Sequence, residues 1–284
     1  MRPRLILLAA AASSAALHVA GVLTANPIWR YAEVLSIALL LAYALISRSQ
    51  SSRQALWVAL AVLLVNAIRT TPAARGSDSY GWAVFVPGSS IDTPSAFEWG
   101  LSRCWPLLTA VCVLLVAWRR GGWHRHTVTP AVVGAALITA YAVFRVVGTW
   151  HAVAAEPPRA SGTDAAETMK AVSMAVLPPL VVGITALALA AALAGHGRRL
   201  ASIGAALLAL RALPLMDTCI GMVPMPLSVG SENALFAWHS ITPTLSLPQP
   251  MPALTALVEL TAYLLLVTGL TDRPIRTSAA AAEV

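Results

Sequence analysis

Apolar residues run through this chain in long blocks, and polar residues interrupt them at intervals. A helix needs about 20 mostly apolar residues to cross a hydrocarbon core. Eight blocks approach that length: residues 5–25, 31–47, 55–71, 103–118, 131–150, 171–194, 200–223 and 252–270. The third and fourth are the short ones. Backbone polar groups in lipid must bond internally, so each block is expected to be helical. The pattern predicts an all-α polytopic transmembrane bundle of about eight spans. It forms one integral membrane domain over residues 1–284, with long connections at 72–101 and 224–250.

The short connections set an orientation. Arg2, Arg4, Arg48, Arg53, Arg119, Arg120, Arg125, Arg198, Arg199, Arg273 and Arg276 all fall on alternate connections. Those connections carry 11 of the 19 basic residues and, of the acids, only Asp272 and Glu283. The opposite connections carry Asp78, Asp92, Glu98, Glu156, Asp164, Glu167 and Glu232. By the positive-inside rule both termini are expected in the cytoplasm and the acidic loops outside. The expected location is the cell inner membrane, multi-pass. Block one has the basic start of a signal peptide. Its apolar run exceeds the usual 7–15 residues, and Leu23-Thr24-Ala25 is a poor cleavage site, so a retained helix is expected.

Composition agrees with the pattern. Apolar residues make up 58% of the chain and charged residues 11%, against roughly 25% charged in a soluble domain. The mean hydropathy is +0.73. The net charge of +7 does not imply a nucleic-acid partner, because the basic residues lie scattered between apolar runs. The expected surroundings are the lipid bilayer. All basic residues but Lys170 are Arg, which, with the high Ala content, is associated with GC-rich bacterial genomes. Cys104, Cys112 and Cys219 form no disulfide framework. Eight positions on one helix put Cys104 and Cys112 roughly 12 Å apart, so all three cysteines are expected as packing residues.

The two long connections read as irregular loops. Tyr80, Trp82, Phe85, Phe97 and Trp99 in one, and Phe236, Trp238 and His239 in the other, suit the headgroup region or lids over an outer cavity. A loose internal echo links the halves. Arg69-Thr70-Thr71-Pro72 and Arg211-Ala212-Leu213-Pro214 are offset by 211 − 69 = 142 residues. An acid, a Gly, a Val-Pro and a Phe/Trp pair follow each, as two parallel four-helix repeats would produce.

Candidate chemistry resides in charges within the blocks: Glu33, Arg69, Arg145, Arg211, Asp217 and Glu259, with His18, Asn66 and Asp272 as polar company. A charge near the bilayer centre costs about 2.5–3.5 kcal/mol on insertion scales, so each needs a partner or a route to the interface. Glu33 and Arg69 lie near block ends and can snorkel. Arg211 and Glu259 fall at similar depth on consecutive blocks and are expected to pair. Asp217 lies about 9 Å further out than Arg211 and some 120° around the helix. Arg145 is its expected mate. Pro214 between them removes a backbone donor and is the candidate hinge. The three arginines together suit an anionic group, whereas three acids beside them suit a purely structural network.

No metal or cofactor site is expected. His124-Arg125-His126 lacks further ligands for zinc, and a haem between His18 and His151 would need a geometry the sequence does not specify. No nucleophile elbow, zinc-protease motif, phosphate loop or dinucleotide fingerprint occurs. Three functions remain. The first is a transporter or permease-like protein for a small solute, an anion being one candidate. The second is a non-catalytic membrane subunit or assembly factor that docks a membrane or extracytoplasmic protein through its outer loops. The third, and weakest, is a membrane enzyme acting on a lipid-linked substrate.

Overall fold

The computed structural model describes residues 3–24, 31–47, 53–70, 82–85, 93–118, 123–154, 165–223, 225–226, 235–238 and 250–271. Within them eight helices form the bundle: α1 (Pro3–Leu23), α2 (Tyr31–Ile46), α3 (Arg53–Thr70), α4 (Thr93–Trp118), α5 (Arg125–Ala154), α6 (Ala165–Gly195), α7 (Arg199–Gly221) and α8 (Pro250–Thr271). Six of them, α1 and α4 to α8, are long and apolar enough to cross a membrane. Helices α2, with 16 residues, and α3, with 18, are shorter apolar helices.

Two expectations about the long connections need correction. Helix α4 starts at Thr93, ten residues before the apolar block at 103, and so includes Glu98, Phe97 and Trp99. Pro94 in its first turn is the physical reason, since a helix start needs no N–H there and the fixed φ is already helical. The connections are also not wholly irregular. Strand β1 (Trp82–Phe85) comes from the first, and β2 (Met225–Pro226) and β3 (Leu235–Trp238) come from the second. They form an antiparallel ribbon in the order β1-β3-β2, with Trp82 opposite Trp238 and Phe85 opposite Leu235. Four-residue Trp/Phe/Val/Leu runs carry high strand propensity, which pairing across two loops satisfies. The rest of both loops, with Asp78, Tyr80 and His239, lies outside the described residues, as does the C-terminal tail.

The ribbon defines one end of the bundle, reached by the C-termini of α3 and α7 and the N-termini of α4 and α8. The internal echo is uneven on this frame. Arg69 is the penultimate residue of α3, whereas Arg211 lies ten residues inside α7; Phe97 and Trp99 are helical, whereas Phe236 and Trp238 are in a strand.

Packing follows the small residues. Helix α6 is the most buried of the six long helices and contacts α4, α5 and α7; α5 is the least buried and packs on α6 and α7. Helix α8 lies between α7 and α1, and α1 packs on α2. On α5 the side chains of Val132, Val133, Leu137, Phe144 and Val147 point away from the bundle, an apolar face suited to lipid. Gly204 of α7 lies against the backbone of Ala262 and Leu266, and Gly269 of α8 against that of Ala201. Small residues let these two backbones approach closely, as at many membrane helix interfaces.

At the end opposite the ribbon, an arginine ties the α6–α7 connection to α8. Gly197 takes φ +71° and ends α6, with Arg198 N–H donating to the Leu193 carbonyl and Gly197 N–H to Ala194. This is a Schellman cap, and only glycine adopts that φ without strain. It sends Arg198 to α8, where Nη1 donates to the carbonyls of Gly269 and Leu270 at 2.9 Å each. The guanidinium also lies 4.8 Å from the Trp118 ring centre. A cation on the last carbonyls of a helix stabilises it through bonds and dipole together. Arg198→Ala is therefore expected to cost about 1–2 kcal/mol in thermal unfolding of the detergent-solubilised protein, with Arg198→Lys recovering part of it. Equal stability of Arg198→Ala and wild type would contradict this cap.

Candidate functional site: a charged cluster within the bundle

Arg211 is ten residues from the ribbon end of α7, about 15 Å along the axis, and Glu259 nine residues into α8, about 14 Å. The antiparallel pairing of these helices brings them level. Arg211 Nε donates to Glu259 Oε2 at 2.9 Å, and the two side chains are 20% and 24% exposed. Tyr263, one turn further along α8, donates its hydroxyl to Glu259 Oε1 at 2.6 Å. Both carboxylate oxygens are thus engaged, which is what an ionised group away from water requires.

A second carboxylate joins them from α2. Glu33 is the third residue of that helix, and its Oε2 is 3.7 Å from Nε2 of His18 on α1. Glu33 also lies within electrostatic range of both Glu259 and Arg211. Its expected role as a snorkelling end residue is therefore corrected: it turns toward the bundle, because α1 packs on α2 and α8 together. His18 is buried, so this part of the cluster is closed off on the α1 side. Four helices thus contribute His18, Glu33, Arg211, Glu259 and Tyr263 to one cluster.

Arg145 and Asp217 form a separate pair. Arg145 Nε meets Asp217 Oδ1 at 2.9 Å, and Tyr141, one turn before Arg145 on α5, donates to both Asp217 oxygens at 2.9 and 3.1 Å. These side chains are 39% and 41% exposed, so the pair lies on the flank of the bundle. Asp217 points away from Arg211, as six helical positions dictate.

The expected convergence of three arginines does not occur. Arg69 is exposed at the end of α3, Arg145 is on the flank, and only Arg211 reaches the inner cluster. An anion-binding trio is therefore not assembled. Pro214 does not break its helix either: α7 is continuous from Arg199 to Gly221, and Thr218 donates back to the Pro214 carbonyl at 2.9 Å. Helix α6 likewise runs through Pro178 and Pro179.

Further polar groups complete the surroundings. The buried thiols of Cys104 on α4 and Cys219 on α7 face each other beside Arg211, both free. His124 and His126 stack with ring centres 5.4 Å apart, and His151 is exposed at the end of α5. Among the described residues no group of three His, Cys, Asp or Glu side chains is arranged to hold a metal ion. A small apolar cleft lies between α3, α4, α7 and α8, lined by Leu60, Leu63, Leu107, Val111, Leu208 and Tyr263.

Six helices long and apolar enough to cross a membrane are the architecture of a multi-pass membrane protein. No family model, no curated protein and no solved structure gives a significant match to this chain.

Proposed function

We propose that this protein is a permease-like transporter for a small solute, with the Glu33–Arg211–Glu259 cluster as its central polar site. The observation that carries the reading is a second carboxylate, Glu33, within electrostatic range of a pair that Arg211 and Glu259 already complete. A network that only held helices in register would need no surplus acid in a medium where each charge is costly. The surplus also changes the expected solute. With His18 neutral, two carboxylates and one guanidinium carry a net charge of −1, which favours a cationic or hydrogen-bond-donating group over an anion. Pro214 is the flexing point in this reading, three residues from Arg211, because the Leu210 carbonyl has no proline N–H to accept from. Positive-inside orientation directs the ribbon end outward, and the cluster is nearer that end.

One observation favours a second reading, a subunit that docks a protein partner. The two long loops are joined by a ribbon whose outer strands, β1 and β2, each pair on one side only among the described residues. Such edges can accept a further strand.

Thiol labelling separates the two. Ala256 lies three residues before Glu259, one turn toward the ribbon end of α8. In a protein with Cys104, Cys112 and Cys219 changed to Ser, Ala256→Cys is expected to react with a membrane-impermeant maleimide in intact membranes. Reaction at the rate of a solvent-exposed thiol supports a water pathway to the cluster. Reaction only after unfolding overturns transport through this site and leaves the docking reading.

A further inference from the structure

The two carboxylates of the cluster are not equally satisfied. Glu259 has one oxygen on Arg211 at 2.9 Å and the other on Tyr263 at 2.6 Å. Glu33 faces the imidazole of His18 at 3.7 Å, longer than a hydrogen bond, with its side chain 31% exposed and that of His18 9%. Among the described residues, the charged and titratable groups that face this pair come from α7 and α8. From α7 there is Arg211, and from α8 there are Glu259 and Tyr263; the Cys104 and Cys219 thiols lie beyond Arg211. With a neutral imidazole these groups sum to −1 + −1 + 1 = −1. A single proton brings the sum to zero, and the gap between His18 Nε2 and Glu33 Oε2 has an atom on each side able to hold it.

We infer that His18 and Glu33 form a proton-binding site that takes up one proton from the ribbon side, and that this proton is the coupling ion of the transporter. The inference rests on the transport reading for its second half only. The balance is simple: one proton enters from bulk water, becomes shared between imidazole and carboxylate, and leaves to bulk water, with no bond to carbon and no electron transferred. Arg211 and Glu259 remain paired throughout, which keeps the positive charge of Arg211 committed to Glu259. The two groups of the site interact closely enough that the proton belongs to the pair and not to either residue. Imidazole chemistry places the event in the range from about pH 5 to pH 8.

The test is a proton-uptake titration of the full chain in lipid nanodiscs, read with a pH-indicator dye over that range. The difference between wild type and the double variant His18→Gln with Glu33→Gln cancels the other histidines. It is expected to be about one proton per protein. His18→Gln is expected to retain uptake but to shift its midpoint to lower pH, because a carboxylate then holds the proton without its imidazole. The double variant with uptake equal to wild type overturns the site. A wild-type midpoint that moves when sodium replaces choline in the buffer overturns the proton in favour of a metal cation. Circular dichroism at the upper pH verifies that both variants are folded. The titration needs no solute and no path across the bundle, so its failure is distinct from a failure of Ala256→Cys labelling.

Discussion

Glu259→Ala is expected to destabilise the protein by about 3 kcal/mol or more, the cost of leaving one partner of a buried ion pair alone. The Arg211 guanidinium would retain its charge with no acceptor at 2.9 Å, and the Tyr263 hydroxyl would lose the carboxylate it donates to at 2.6 Å. Both losses fall about 14 Å from the helix end, too deep for a short detour to water. Glu33 lies close, but it approaches from α2 and already faces His18. Replacing both partners at once has a different outcome. Arg211→Met with Glu259→Leu removes the charges together and fills similar volume, and such exchanges of a buried pair for apolar groups are close to neutral. Denaturant or thermal unfolding of the two single variants and the double variant in one detergent tests this. A double variant whose loss equals the sum of the two single losses would show that the pair is not coupled.

That pair was the most legible feature of the sequence, and its legibility has a physical basis. Arg211 and Glu259 occupy equal depths on consecutive antiparallel helices, and depth is set by counting residues from polar ends. The Asp217–Arg145 pair was readable in the same way, from depth and from the six-position rotation that turns Asp217 off the Arg211 face. Both phenol donors were also within reach of a local rule. Tyr263 is four residues after Glu259, one turn from the carboxylate it donates to, and Tyr141 is four before Arg145, one turn from the cation whose partner Asp217 it donates to. The position of Glu33 was not legible. Whether an acid in the first turn of α2 faces lipid or the bundle depends on α1 packing against α8, which hydropathy does not encode. Strand pairing between β1 and β3 escaped for a related reason. It joins residues about 150 apart (235 − 85 = 150 for Phe85 and Leu235), and short apolar runs among prolines and glycines carry no marker of a distant partner. The start of α4 at Thr93 was hidden because its first turns carry polar residues and Glu98, and so resemble loop by hydropathy alone.

Substituting Gly204 is expected to damage the same cluster from a distance. A β-carbon there would come within 2.7 Å of the Ala262 carbonyl oxygen and 2.8 Å of the Leu266 nitrogen. At Gly269 it would meet the backbone nitrogen of Ala201 more closely still. These obstacles are backbone atoms that no rotamer change removes, so α7 and α8 must move apart. Overpacking of this kind costs about 1–3 kcal/mol for a modest insertion, and Gly204→Val is expected to exceed Gly204→Ala. Gly148 provides the control, because nothing lies within 4 Å of a β-carbon placed there. Gly148→Ala in the middle of a helix should be neutral or stabilise by about 0.5–1 kcal/mol. The separation at Gly204 bears on the charges because Ala262 and Leu266 flank Tyr263, and Arg211 is seven residues, about two turns, beyond Gly204. A helix pushed outward there carries Arg211 away from Glu259. Gly204→Ala and Glu259→Ala should therefore combine to less than the sum of their separate losses, since the first already loosens what the second removes. Unfolding midpoints of the two single variants, the double variant and Gly148→Ala measure this. If Gly204→Ala is as harmless as Gly148→Ala, the close crossing of α7 and α8 does not position the ion pair.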